Sequence, residues 1–278
     1  MDQQTAITRA RRFRALHDRQ HVLLLPNAWD AGSAALMASL GFPALATTSG
    51  GVAWSLGYAD GGHLPFAEVL AAIRRIARVA SVPVTVDFED GYGSAPDAVA
   101  DCVRQAIEAG ASGLNIEDGI RHESLRPIED AAARVAAARA AATQAGIPVY
   151  INARVDVFMT GACDSDADRV EETVRRARAY LAAGADGIYP MGVADPELLR
   201  TLCARIDAPI NVMARNGLPD LDALAQLGVA RVTTATHLAT LAYSTARDAA
   251  LQLKSTGRFD GLAASLTYPE LQQLFPHS

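Results

Sequence analysis

The sequence predicts a single closed (β/α)8 barrel, and three observations point there. An Ala-rich helical stretch ending in Gly, followed within a few residues by a short apolar run, recurs at Gly41, Gly110, Gly146, Gly184 and Gly228. A Gly just past a helix can take the left-handed cap, and short runs apolar on both faces suit the buried strands of a parallel sheet. Further apolar runs follow His21, Val82 and Asp207, which brings the strand positions to eight. The G-x-G-x-x-G turn that would favour an open dinucleotide-binding sheet is absent after the first run.

In chain order, Ile7, Ala10, Phe13 and Leu16 share one helical stripe, so residues 1–20 read as a helix closing the barrel floor rather than an Arg-rich leader. Strands are expected near 21–25, 43–48, 82–88, 112–117, 147–154, 186–191, 208–213 and 229–234. A helix near 237–254 completes the barrel over residues 21–254. The tail 255–278 is more than closure needs and reads as a subunit contact.

Net charge is −6, with Lys and Arg spread along helices, which argues against a nucleic-acid groove. The three cysteines, Cys102, Cys163 and Cys203, are far apart and suggest neither disulfides nor zinc. No apolar run approaches the roughly 18–20 residues of a membrane span, and no signal-peptide core is evident. The expectation is a cytoplasmic enzyme.

Reacting groups in such barrels sit at the C-terminal strand ends. Strand 3 ends Asp87-Phe88-Glu89-Asp90-Gly91-Tyr92-Gly93, and a two-residue period turns Asp87 and Glu89 the same way, into the mouth. Strand 4 ends Glu117-Asp118. Carboxylates converging in one mouth repel one another unless a cation or base neutralises them, and all-oxygen ligation selects Mg²⁺, Mn²⁺ or Ca²⁺ over zinc, Mg²⁺ in particular keeping waters through which some carboxylates can act. Strand-end capping is the plainer reading of the same residues.

Strand 5 ends Arg154-Val155-Asp156: Arg154 either clamps a substrate carboxylate or neutralises Glu117 or Asp156. Ser49-Gly50-Gly51 after strand 2 lets backbone N–H groups approach an anion, or is a plain turn. Asn211 and Arg215 close strand 7 and either reach a distal substrate group or cap the strand; Tyr92 lines the mouth or packs; His63 and His122 read as solvated loop residues. A metal, an anion cradle and an arginine together suit a small acid with a neighbouring keto oxygen, a 2-oxo acid.

Four motifs in order, Ser49-Gly50-Gly51 with Leu56-Gly57-Tyr58-Ala59-Asp60, Asp87 to Gly93, Ile116-Glu117-Asp118 and Ala153-Arg154-Val155-Asp156, make the segment from about Leu23 to about His237 resemble the isocitrate lyase and phosphoenolpyruvate mutase superfamily. The resemblance implies Mg²⁺ held directly by Asp87 and through water by Asp60, Glu89 and Glu117, with the substrate carboxylate on Ser49, Gly50 and Arg154. It also implies a homo-oligomer, dimer or tetramer, that often exchanges its last helix between subunits.

The loop after strand 4, Asp118-Gly119-Ile120-Arg121-His122-Glu123-Ser124, lacks the Lys and Cys of the tricarboxylate-cleaving branch and the two Lys of the phosphonate branch. It resembles the oxaloacetate decarboxylase branch, which needs neither. Met191-Gly192-Val193 stands where the lyases carry a Glu, and His237 follows strand 8 as a proton donor or a structural helix start. The expected function is a Mg²⁺-dependent decarboxylation or C–C cleavage of an oxaloacetate-like acid. Phosphoenolpyruvate or phosphonopyruvate chemistry and non-catalytic binding of an acid such as 2-oxoglutarate are the alternatives.

Overall fold

A computed structural model describes residues 1–19, 21–121 and 123–275. Among them the parallel strands are β1 (Leu23–Leu25, resumed as Asn27–Ala28), β2 (Leu45–Thr47), β3 (Val84–Asp87), β4 (Gly113–Glu117), β5 (Tyr150–Val155), β6 (Gly187–Pro190), β7 (Asn211–Met213) and β8 (Arg231–Thr233). Pro26 has no N–H to give and splits β1, so its first piece pairs with β8 and its second with β2. A single bridge, Ile188 to Ile210, joins β6 to β7 and closes the ring. Each expected strand is present, shorter at one or both ends because only the central residues carry ladder hydrogen bonds.

Helices alternate with the strands: α1 (Gln3–Ala15), α2 (Ala31–Ser39), α3 (Ser49–Ser55), α4 (Phe66–Val79), α5 (Pro96–Ala109), α6 (Ile128–Ala145), α7 (Val157–Thr160), α8 (Asp166–Ala182), α9 (Pro196–Arg205), α10 (Leu221–Gln226), α11 (His237–Thr256) and α12 (Tyr268–Gln273). All five glycines of the repeated phrase have positive φ, from 68° at Gly146 to 116° at Gly110. In α4, Val69, Leu70, Ile73 and Ile76 are buried while Arg74, Arg75 and Arg78 face out. Each such aliphatic contributes about 1.5–3 kcal/mol on burial.

The floor is sealed by α1. Phe13 is fully buried among Leu23, Leu25, Ala44, Ala46 and Tyr150. His17 stacks on the Tyr150 ring at 3.8 Å and its Nδ1–H donates to the Phe13 carbonyl, 2.9 Å away. The last long helix is different: α11, of 20 residues, buries only Ala239 and leaves Leu241, Tyr243 and Leu251 exposed, as does the tail with Phe259, Leu262 and Tyr268. No helix among the described residues is long and apolar enough to cross a membrane.

Candidate active site

The C-terminal strand ends bring an acidic group together at the mouth. Asp87 closes β3, and its Oδ2 accepts from the Ser49 N–H at 3.0 Å and the Ser49 hydroxyl at 2.9 Å, while its own N–H donates to Thr47 Oγ1 at 3.0 Å. Ser49-Gly50-Gly51 is the first turn of α3, capped by Thr48, rather than a free turn. Gly50 is needed there: a Cβ would stand 2.9 Å from Asp60 Oδ2 and 3.1 Å from Thr236 Cγ2.

Asp60 arrives from the loop between α3 and α4. Its Oδ1 is buried with no hydrogen-bond partner among the described residues. Glu89 joins the group by a different route from the one its spacing suggests. The strand stops at Asp87, and Glu89 takes a left-handed backbone, φ 43°, with Tyr92 at 58° two steps beyond the next acid. The turn, not a strand period, delivers it, fixed by the Tyr92 hydroxyl on Glu89 Oε1 at 2.8 Å and by Phe66 and Phe88 around the Tyr92 ring. Burial pushes the Glu89 carboxyl up to about 7; the Tyr92 bond opposes this, and Asp87, Asp60 and Asp90 add repulsion.

On the other side of the mouth Arg154 binds two acids at once. Nη1 lies 2.6 Å from Glu117 Oε2, while Nε and Nη2 donate to the two oxygens of Asp156 at 2.7 and 2.8 Å. All three side chains are buried. Although burial disfavours its charge, Glu117 and Asp156 hold the guanidinium protonated well above its ordinary range. Both readings of Arg154 therefore begin from the same fact, that it neutralises Glu117 and Asp156.

Three expected positions need correction. Asp118 does not join the mouth: it turns into the wall, accepting from the Asp156 N–H, the Tyr180 hydroxyl and Arg176 at 2.8, 2.7 and 2.9 Å, because α8 supplies a donor set behind the strand. Asn211 opens β7 rather than closing it, stands level with Arg231 on β8 and exchanges hydrogen bonds with Thr233. Arg215 is exposed and donates to the Gly192 carbonyl. His237 begins α11, exposed, with Nδ1 3.0 Å from the Thr234 carbonyl. His63 is exposed, and His122 lies outside the described residues.

The donor set is entirely oxygen, and the orphaned Asp60 Oδ1 beside Asp87 and Glu89 is what a hard cation would satisfy. Among the described residues no three His, Cys, Asp or Glu side chains form a ready direct ligand set.

Residues 13–254 match the phosphoenolpyruvate phosphomutase family, and the chain belongs to it. It is 33% identical to 2-methylisocitrate lyase of Escherichia coli over 71% of this chain and 67% of that one. It is 31% identical to oxaloacetate decarboxylase of Marinomonas over 82% and 78%. A solved structure from Burkholderia cenocepacia, assigned as a phosphonomutase, superposes with TM-score 0.84 at 43% identity, covering 88% of this chain and 99% of that one. The chain is thus an enzyme of the isocitrate lyase and phosphoenolpyruvate mutase superfamily, with lyases among its relatives.

Proposed function

We propose that the protein is a Mg²⁺-dependent carbon–carbon lyase acting on a small 2-oxo acid of the oxaloacetate type. The observation that carries this reading is the juxtaposition of Asp87, Glu89 and the unpartnered Asp60 oxygen with the Ser49-Gly50 backbone. Asp87, with Asp60, Glu89 and Glu117 acting through water, would hold a divalent cation, which when bound would supply Lewis-acid polarisation of the keto oxygen. Mn²⁺ would serve in its place.

The chain's own groups do the rest. The amides of Gly50 and Gly51, with the Ser49 hydroxyl, meet the substrate carboxylate. Arg154, held in plane by Asp156 and Glu117, presents its charge to the same group. Asn211, held by Thr233, is a further group for the substrate. The His237 Nδ1–H donates to the Thr234 carbonyl, so Nε2 carries a proton only in the imidazolium form, and in that form His237 delivers it to the product carbon after the bond breaks, leaving the neutral ring. The strand-4 loop carries neither Cys nor Lys, which suits a cleavage needing no thiol acid and no phosphoryl grip.

The chain reads as one barrel domain, and the exposed apolar face of α11 with the exposed Phe259, Leu262 and Tyr268 beyond it supports a dimer or tetramer that exchanges this helix. Sedimentation equilibrium giving a monomer would remove that part of the proposal. A second reading is phosphonopyruvate or phosphoenolpyruvate chemistry, favoured by the 43% identity to the phosphonomutase-assigned structure, with Arg121 as the loop's cation. Phosphorus NMR detecting P–C conversion would establish it.

Pyruvate release from oxaloacetate, measured with and without Mg²⁺ on wild type and Asp87→Ala, tests the leading reading. Turnover above the metal-only background is expected for wild type and at least about a hundredfold less for the variant. No metal-dependent turnover across a panel of 2-oxo and 2-hydroxy acids would sink the lyase, and tight binding without product would make the protein a 2-oxo acid binder.

A further inference from the structure

Arg231, on β8, is a cation inside the barrel at 1% exposure, and among the described residues no carboxylate forms a salt bridge with it. Its Nη2 reaches Asn115 Oδ1 at 3.4 Å, and Nε and Nη1 find no hydrogen-bond partner there. Its other neighbour is the Phe13 ring, 5.8 Å from the guanidinium carbon. Burial lowers its pKa to about 10, opposed by Tyr150, Tyr189 and Asp87, so it is cationic at neutral pH.

A buried charge without a counter-ion costs several kcal/mol, and an apolar side chain of similar size is commonly as stable or more so. The fold carries that cost at one residue's remove from the acid group. Asn115, which Arg231 touches, is the register partner of Asp87 on the adjacent strand and also accepts from Asn152 at 2.9 Å. Asn115 thus stands beside Asp87 on the neighbouring strand and touches the Arg231 guanidinium, linking the cation to the acid group. A fixed positive charge in a low-dielectric interior acts across such a link with little screening.

We propose that Arg231 is a positioning residue of the active site, a fixed counter-charge to the Asp87 carboxylate that favours anionic 2-oxo acids, and the negative charge they develop, in the mouth. It touches neither substrate nor metal and acts through Asn115. This inference rests on the function proposed above. A merely structural Arg231, filling the space over Phe13, makes the opposite predictions.

The test is isothermal titration with oxalate, a planar dianion mimicking the enolate of a 2-oxo acid, at saturating Mg²⁺, with thermal midpoints for wild type, Arg231→Met and Arg231→Lys. Expected is oxalate binding about tenfold weaker in Arg231→Met, the size of one buried charge acting across one residue at an effective dielectric of about 20. Its Tm should be unchanged or a few degrees higher, and Arg231→Lys should stay within about threefold of wild type. If Arg231→Met destabilises the fold, the lysine variant decides: a restored Tm with wild-type affinity supports the inference, and a restored Tm with weak binding overturns it. Wild-type affinity in Arg231→Met overturns it while leaving the proposed function standing. Failure of the wild type to bind oxalate removes the proposed function and this inference with it.

Discussion

The mouth and the floor of this barrel are built from similar polar residues to opposite ends. At the floor, charges are matched: Asp186 takes Arg14 at 2.8 Å and also pairs with Arg139, and aromatic rings of Phe13, His17 and Tyr150 pack edge to face and face to face. At the mouth, acids outnumber bases, one buried carboxylate oxygen lacks a partner among the described residues, and two non-glycine residues adopt left-handed backbone within four positions. A region arranged for stability alone would not keep like charges together or strain its backbone. The difference assigns folding energy to the floor and chemistry to the mouth, as barrels of this class divide the two.

The largest expected effect blurs that division at one residue. Arg154→Ala should cost about 3–5 kcal/mol of stability in denaturant unfolding, since Glu117 and Asp156 are left buried and opposed, as well as abolishing oxalate binding. Loss of binding with stability intact would mean that the mouth acids relax freely, against the comparison.

A smaller effect tests the floor. Burial holds the His17 ring, pKa about 3, far below its ordinary 6.5. The folded state thus binds fewer protons than the unfolded one between these values. Stability is full above pH 6.5 and declines as pH falls toward 3, by at most roughly 1.4 kcal/mol per pH unit from this group. His17→Phe should flatten that decline while leaving substrate binding at neutral pH unchanged, and an unaltered acid profile would show that His17 is not the group responsible.

The smallest effect isolates the mouth. Gly50→Ala pushes its new methyl against the Asp60 carboxylate, a movable group, so the Tm should shift by no more than a few degrees while Mg²⁺ affinity falls by about tenfold. Equal affinity would remove Asp60 from the proposed metal shell.

Much of this was legible from sequence, for physical reasons that also mark where it stopped. Glycine caps and two-sided apolar runs are local signals, and they located the strands. Asp87, Glu117 and Arg154 are legible because each stands at, or one residue before, the end of a strand. Glu89 was expected on the right side of the mouth for the wrong reason, since a two-residue period holds only while the strand lasts, and this one ends at Asp87. Asp118 depends on donors from α8, nearly sixty residues on, which no local pattern reveals. Asn211 was misplaced within its strand because β7 starts late. Arg231 was passed over entirely, although a charge inside the apolar run Val229-Ala230-Arg231-Val232 was visible as an anomaly.

The stems of the strand-4 loop are tied down on both sides. The Arg126 N–H closes onto the Asp118 carbonyl at 2.8 Å, Asp118 itself is clasped by Arg176 and Tyr180, and a two-residue ladder pairs Gly119–Ile120 with Ser124–Leu125. Gly119 must remain small, because a Cβ there would meet Asp156 Oδ2 at 2.4 Å. Both ends of this loop are thus fixed to the barrel wall by contacts that do not involve its tip, so a change of chemistry at the tip would leave the carboxylate chassis of the mouth where it is.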